Sequence, residues 1–162
     1  MITGLIIVSA FYSCENTYCP SYQFILVRHA EKDTISVNPG LTSEGMDRAF
    51  RLANIFSQES VTAMYATPYR RTQETLQPLS KQKNLSILSY QPGDQKFLET
   101  LFKEHPNGGL FVIAGHSNTI PQLVNQLIEQ DLLQNLDEKD YDDIFIVSTQ
   151  GNTSPSILHL TY

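Results

Sequence analysis

The sequence predicts an α/β fold of three layers: a mostly parallel β-sheet, helices on both of its faces, and an antiparallel edge strand. Short apolar segments of strand length alternate with segments of helical periodicity from residue 23 onward. The segment 110–114 is apolar throughout, which is typical of a strand buried on both faces. The last two predicted strands, 144–148 and 156–160, are separated by turn residues and therefore predict a hairpin.

Periodicity and turn residues divide the rest of the chain into alternating strands and helices. In chain order, the pattern predicts a strand over 23–28, a helix over 42–58, a strand over 61–66, a helix over 69–83, a strand over 85–90, a helix over 94–105, the strand 110–114 and a helix over 117–130. Repeated strand–helix units place successive strands parallel to one another. Thr42 or Ser43 is a suitable cap for the first helix.

Length and charge limit the possible functions. A chain of 162 residues fits one domain with a sizeable core. Its 11 basic and 17 acidic residues give a formal net charge of -6, which argues against nucleic acid as a partner. Five of the acids lie in the run 137–143, which we interpret as a solvated loop. The acidity of the chain therefore does not exclude an anionic substrate at another place.

Residues 1–22 are predicted to be a leader and tether, and residues 23–162 the domain. Leu5–Tyr12 is a short apolar core, followed by Ser13 and Cys14. This order is typical of a signal peptide and similar to the cleavage site of a bacterial lipoprotein, in which Cys14 is lipidated. We expect an exported protein, periplasmic or attached to a membrane through Cys14. Because no lysine or arginine precedes the apolar core, a buried strand or a cytoplasmic tail is the alternative.

Ionisable side chains follow three of the predicted strands. They lie at Arg28 and His29, at Thr67–Arg71, and at Gly115–Ser117. Because the carboxyl ends of parallel strands share one edge of a sheet, these groups can meet in one crevice. Arginine forks hold phosphate oxygens, and helix N-termini attract anions. The pattern favours a phosphoryl site, although Arg28 and His29 by themselves also fit a structural ion pair.

These segments resemble the motifs of the histidine phosphatase superfamily, also called phosphoglycerate mutase-like, and look like its short phosphatase branch. The resemblance extends from about residue 23 to the C-terminus. Val27–Glu31 resembles Arg-His-Gly-Glu with Ala30 in place of the commoner glycine, and Leu41–Ala49 resembles the Leu-Thr-x-x-Gly helix start. Tyr65–Thr75 resembles Ser-x-Pro-Leu-x-Arg-Ala-x-x-Thr, and Gly115–Ser117 resembles Gly-His-Gly/Ser.

The resemblance implies a phosphatase that needs neither a metal nor another cofactor. His29 would attack phosphorus and form a phosphohistidine intermediate. Arg28, Arg71 and His116 would hold the phosphoryl oxygens, since the register of the third motif selects Arg71 and not Arg70. Asn118 is a further candidate for phosphate contact, or else a helix cap.

A carboxyl group should protonate the departing oxygen. We choose Asp94, which lies in the stretch where the family usually carries its proton donor. Its alternative role is that of a helix cap. Glu31, Glu74 and Glu99 are the other candidates.

The short loops 30–41 and 91–94 indicate an open site, which suits a small phosphorylated substrate or a phosphoprotein better than a mutase reaction. Two other functions are possible. Gly115–Thr119 is similar to the Gly-x-Ser-x-Gly turn of serine hydrolases, with Ser117 as nucleophile and His159 as base, but Thr119 replaces the final glycine. A non-catalytic phosphate-binding module would not require both histidines.

Overall fold

Six strands and four helices form the described part of the chain, which comprises residues 19–151 and 153–162 of a computed structural model. The elements are β1 (Ser21–Arg28), α1 (Ser43–Ile55), β2 (Val61–Ala66), α2 (Arg70–Lys83), β3 (Ile87–Ser89), α3 (Phe97–Glu104), β4 (Gly108–Gly115), α4 (Thr119–Ile128), β5 (Asp143–Gln150) and β6 (Ser156–Thr161). Thr42 caps α1, as predicted, because its side-chain oxygen accepts the N–H of Gly45.

The strands form one mixed sheet in the order β3-β2-β4-β1-β5-β6. The first four strands of this order are parallel, whereas β5 pairs antiparallel with both β1 and β6. The predicted fold class is therefore confirmed, with the β5–β6 hairpin as the antiparallel edge of the sheet.

Helices cover both faces of the sheet because successive strand residues point in opposite directions. On β1, Phe24 and Leu26 pack in the core beneath α3 and α4. Ile25 and Val27 pack in the second core, beneath α1 and α2. All four side chains are essentially fully buried. The central strands are thus fixed from both sides, and only their ends reach the surface.

Most elements differ by a few residues from their predicted bounds, and for two of them the contacts explain where the element begins. β1 begins at Ser21, inside the predicted tether, because Ser21 pairs with Gly108 and the Tyr22 ring packs edge-on against Phe102 at 4.8 Å. The helix predicted from residue 94 begins at Phe97, since residues 91–96 form turns closed by backbone hydrogen bonds.

The predicted leader lies almost entirely outside the described residues. Cys14 and the apolar segment before it fall within residues 1–18, so lipidation and export stay predictions. Within residues 19–151 and 153–162, no helix is long and apolar enough to cross a membrane.

Strand pairing brings four chain segments to one edge of the sheet. Arg28 is level with Gly115, and Ala66 is level with Ala114, so the carboxyl ends of β1, β4 and β2 are aligned. β5 runs in the opposite direction, and its first residues pair near the end of β1. The segment that precedes β5 therefore reaches the same edge.

Candidate active site

His29 lies directly after β1, buried and held in one orientation. Its backbone N–H donates to the carbonyl of Gly115 at 2.9 Å, and the residue is 3 % exposed. Its Nδ1 lies 2.8 Å from the carbonyl oxygen of Ala30. A carbonyl oxygen only accepts hydrogen bonds, so Nδ1 carries the proton and Nε2 keeps its lone pair. The protein thereby presents a neutral imidazole with a free nucleophilic nitrogen.

The surroundings of His29 disfavour its protonated form. The pKa of His29 is lowered from 6.5 to about 3, and burial is the largest cause. The hydrogen bond to Ala30 acts in the opposite direction, and the positive charges of Arg28 and Arg71 contribute to the lowering, as does His116 to a smaller extent. At neutral pH the imidazole is therefore neutral, with the lone pair of Nε2 available for attack.

His116 follows β4 and faces His29, with 5.5 Å between the ring centroids. Arg71 Nη2 lies 3.4 Å from His116 Nδ1, and a guanidinium only donates, so Nδ1 is the acceptor. The other nitrogen, Nε2, then donates to the Thr67 hydroxyl at 3.0 Å. Burial, with the charges of Arg71 and Arg28, lowers the pKa of His116 to about 4. The ring is thus fixed with Nδ1 toward the arginine.

The first turn of α2 separates its two arginines. The Arg71 guanidinium lies 4.5 Å from the centre of the Tyr69 ring and beside His116. The Arg70 side chain is 62 % exposed, and its Nε donates to Glu74 at 2.6 Å. The structure therefore places Arg71, and not Arg70, beside the two histidines.

Thr75 links the loop after His29 to α2. Its hydroxyl oxygen accepts the backbone N–H of Ala30 at 3.0 Å, and the hydroxyl donates to the carbonyl of Arg71 at 2.7 Å. The final threonine of the third motif thus couples the position of His29 to that of Arg71.

Arg28 is 1 % exposed, and its guanidinium holds the loop that precedes β5. Its Nη1 donates to the carbonyl oxygens of Asp137 and Asp140 at 2.7 and 2.6 Å. Its Nη2 donates to the carbonyl and the carboxylate of Glu138 at 3.1 and 3.2 Å. The Tyr141 ring covers the guanidinium, with 4.2 Å from Cζ to the ring centre.

The run 137–143 does not lie away from the site as expected, although residues 137–139 are exposed, as predicted for a solvated loop. The run lies against Arg28 because β5 enters the sheet antiparallel to β1 and starts at the end of β1. Glu138 and Tyr141 are site residues that the sequence analysis missed. The predicted antiparallel hairpin was the signal for them, but it did not identify β1 as the strand beside β5.

Two buried donors at the site have no acceptor in the protein. Within the described ranges, the buried side-chain polar atoms without a hydrogen-bond partner are Arg28 Nε, Arg71 Nε and the Tyr162 hydroxyl. A buried N–H group without an acceptor destabilises a protein by about 1–3 kcal/mol. Two of these donors belong to the predicted phosphate-binding arginines, so the protein keeps both guanidinium groups at the site at some cost in stability.

A cleft of about 290 Å³ opens beside Arg71 and His116. Its lining residues are Tyr69, Arg71, Pro92, Gly93, His116, Asn118, Thr119 and Gln122. Asn118 is the N-cap residue of α4, but its side chain makes no capping hydrogen bond. The amide of Asn118 therefore lines the cleft without serving the helix.

Asp94 lies on the loop beside this cleft. Pro92 and Gly93 line the cleft, whereas the Asp94 side chain is exposed and accepts the backbone N–H of Lys96 at 2.9 Å. The carboxylate stabilises this turn and does not cap α3, whose N-cap is Lys96. The structure thus places Asp94 next to residues that line the cleft, but not among them.

The other candidate carboxylates are each paired with a basic side chain. Glu31 forms hydrogen bonds with Arg48 at 2.7–3.0 Å, and Glu99 pairs with Lys103 at 2.7 Å. Glu74 pairs with Arg70 and also accepts the backbone N–H of Leu41. These pairings favour structural roles for all three.

The described structure does not bring Ser117 and His159 together. Ser117 Oγ donates to Glu138 Oε1 at 2.7 Å. His159 bonds to Asp143 and stacks on Phe145, with 4.6 Å between ring centroids. This arrangement offers no histidine base to Ser117, so it does not favour a serine hydrolase.

Comparison with known proteins supports the predicted resemblance. The family model of the histidine phosphatase superfamily (branch 1) matches residues 24–91, which contain the first three motifs but not His116. No curated protein matches the chain.

Solved structures share the fold at low sequence identity. The protein histidine phosphatase SixA, complexed with tungstate, is 19 % identical over 86 % of this chain and 96 % of its own, with a TM-score of 0.68. A mycobacterial glucosyl-3-phosphoglycerate phosphatase is 12 % identical over 88 % of this chain and 98 % of its own, with a TM-score of 0.64. A phosphoglycerate mutase from Bacillus anthracis is 10 % identical over 88 % of this chain and 94 % of its own, with a TM-score of 0.69.

The low pKa values of the two histidines predict how stability depends on pH. The unfolded chain protonates both histidines below about pH 6.5, whereas the folded protein does so only near pH 3 and 4. The two histidines therefore leave stability unaffected well above pH 6.5 and lower it progressively as the pH falls through and below 6.5. Between about pH 7 and pH 5, His29 should account for a loss of up to about 2 kcal/mol.

Urea unfolding of wild type and His29→Gln over this pH range tests the prediction. The variant should lose less stability than wild type on acidification. An identical pH dependence for the two proteins would mean that folding leaves the pKa of His29 unchanged.

Proposed function

We propose that this chain, which shares the signature and the fold of the histidine phosphatase superfamily, hydrolyses phosphomonoesters or phosphohistidine through a phosphohistidine intermediate on His29. The observation that carries the proposal is the convergence of Arg28, Arg71 and His116 on the neutral imidazole of His29. The positive charges of both arginines lower the pKa of His29. A phosphoryl group held by the arginines presents phosphorus to Nε2.

The reaction has two displacements at phosphorus. In the first, the Nε2 lone pair of His29 forms the N–P bond while the bond from phosphorus to the leaving group breaks. The hydrogen bond from Nδ1 to Ala30 stabilises the positive charge that develops on the ring. In the second, water attacks phosphorus, the N–P bond breaks, and inorganic phosphate and neutral His29 are released.

Arg28, Arg71 and His116 stabilise the charge on the phosphoryl oxygens. The arginines are positioned before substrate binds, Arg28 by the loop before β5 and Arg71 by α2. The two guanidinium groups themselves therefore need little reorganisation. A bound phosphate dianion favours protonation of His116 Nδ1, which then becomes a donor instead of an acceptor. The amide of Asn118 adds a donor at the rim of the cleft.

Asp94 is our candidate for the acid that protonates the leaving oxygen in the first step and accepts the proton of water in the second. Its loop lines the cleft through Pro92 and Gly93, and its carboxylate is tied to the protein by one backbone N–H. A change of side-chain rotamer is the motion that brings the carboxyl toward a bound ester.

The open cleft suits a small phosphorylated molecule or a phosphorylated protein side chain. Two of the phosphatases that share this fold are named for protein histidine and for glucosyl-3-phosphoglycerate, respectively. The arginines supply the positive charge, so the proposed reaction requires no metal or other cofactor. We also propose that the chain is exported and held at a membrane through Cys14.

Arg71→Gln should lower kcat/KM for p-nitrophenyl phosphate by about 100- to 1,000-fold, the usual effect of removing one donor that stabilises transition-state charge. Arg70→Gln is the matched control, because the neighbouring arginine is exposed and pairs with Glu74. Its effect should be less than about threefold, as expected for a surface ion pair.

Equal losses in the two variants would show that Arg71 has no special role at phosphorus. If folded wild-type protein hydrolyses neither aryl nor alkyl phosphates nor phosphohistidine, the proposed function is wrong.

Asp94→Asn should separate substrates by their leaving group. An alkoxide needs a proton as its bond to phosphorus breaks, whereas p-nitrophenolate departs without one. We expect hydrolysis of an alkyl phosphate to fall by about 100-fold or more, with a much smaller effect on p-nitrophenyl phosphate. Steady-state rates on the two substrates measure the difference.

Near wild-type rates on both substrates would mean that Asp94 only stabilises the turn through its hydrogen bond with Lys96 and is not the acid. An equal decrease on both would point to a role in binding or in the second step, and the assignment as leaving-group acid would be withdrawn.

A further inference from the structure

The Glu138 side chain lies at the site, although no catalytic step above uses it. Its Oε2 lies 3.2 Å from Arg28 Nη2, and its Oε1 accepts the Ser117 hydroxyl at 2.7 Å. Arg28 ends β1, and Ser117 precedes α4 next to His116. The carboxylate thus bridges the ends of the two strands that carry the histidines.

The main chain of this loop and the Glu138 carboxylate are held separately. Arg28 binds the carbonyls of Asp137, Glu138 and Asp140, and Tyr141 covers the guanidinium. These contacts do not involve the carboxylate, which is 77 % exposed in its ion pair with the 1 % exposed Arg28. The side chain can therefore rotate into solvent while the loop stays in place.

Glu138 carries a negative charge at neutral pH. The hydrogen bond from Ser117 holds the pKa of Glu138 below its usual value, with Arg28 and Lys32 acting in the same direction and Asp137 against them. A carboxylate and a phosphoryl group both accept hydrogen bonds from guanidinium and hydroxyl donors. Glu138 therefore has the chemistry to take the place of one edge of a phosphate.

We propose that Glu138 controls product release: its carboxylate competes with the phosphoryl group for Arg28 and Ser117 and must be displaced when an anion binds. The inference rests on the proposed function, because it takes Arg28 as a phosphate-binding group. The internal carboxylate weakens the binding of free inorganic phosphate, the product, and so promotes its release.

Glu138→Gln tests the proposal. The amide still accepts the Ser117 hydroxyl but carries no charge against Arg28. With p-nitrophenyl phosphate as substrate, the inhibition constant of inorganic phosphate should fall by about two- to fivefold, the size expected for an exposed ion pair. The value of kcat should fall by no more than the same factor and equally on aryl and alkyl phosphates, because slower release of phosphate affects both substrates alike. The difference from wild type should shrink at high salt.

Glu59→Gln is the matched control. Glu59 is exposed and precedes β2, at the opposite edge of the sheet from the histidines. This variant makes the same change in net charge and should leave both the inhibition constant and kcat unchanged.

Three results would overturn the proposal. An unchanged or weaker affinity for inorganic phosphate would mean that Glu138 does not compete for the site. A selective loss of kcat on alkyl phosphates would make Glu138 the leaving-group acid. A change of the same size in Glu59→Gln would show that the effect comes from the net charge of the protein and not from the position of Glu138.

The closing measurement separates this proposal from the proposed function. If the wild-type protein hydrolyses no phosphate compound, the proposed function fails on that result alone. Titration calorimetry with inorganic phosphate then compares wild type, Glu138→Gln and Glu138→Ala without any need for turnover. Tighter binding by both Glu138 variants supports the competition, and equal binding rejects it.

Discussion

The site depends on the hydrogen bonds that the buried guanidinium of Arg28 donates to the loop before β5. The guanidinium lies at the end of a central strand, covered by Tyr141, and is almost inaccessible to solvent. A buried cation is costly unless it is hydrogen-bonded, and the carbonyls of Asp137, Glu138 and Asp140 meet most of that requirement. The same contacts fix an otherwise irregular loop at the site. One donor, Nε, is left without a protein acceptor.

The electrostatics of the site follow from placing two arginines and two histidines together without a counter-ion deep among them. Burial first, and then the positive charges of Arg28 and Arg71, hold both histidines neutral, with pKa values of about 3 for His29 and about 4 for His116. In the proposed reaction the neutral His29 is the nucleophile, and His116 becomes a donor once a dianion binds. On this proposal, the same positive charges that disfavour protonation of the histidines also bind the phosphoryl group.

The sequence predicted the residues at the ends of parallel strands and missed those contributed by an antiparallel one. Arg28, His29, Arg71 and His116 follow three apolar strands, and parallel pairing alone is enough to bring such positions together. Glu138 reaches the site because β5 pairs with β1, and strand order depends on packing across the whole sheet. Asp94 was placed at a helix start, but local turn hydrogen bonds hold its carboxylate outside the cleft.

The most direct test of the central claim is to look for the phosphoryl group on His29. Wild-type protein is mixed with p-nitrophenyl phosphate, quenched within the first turnovers at alkaline pH, and digested for mass spectrometry, with His29→Ala treated in parallel. The account predicts an acid-labile, alkali-stable phosphoryl adduct on the peptide that contains His29, and none in the variant. Steady turnover without this adduct, or an adduct on Ser117 or another residue, would contradict it.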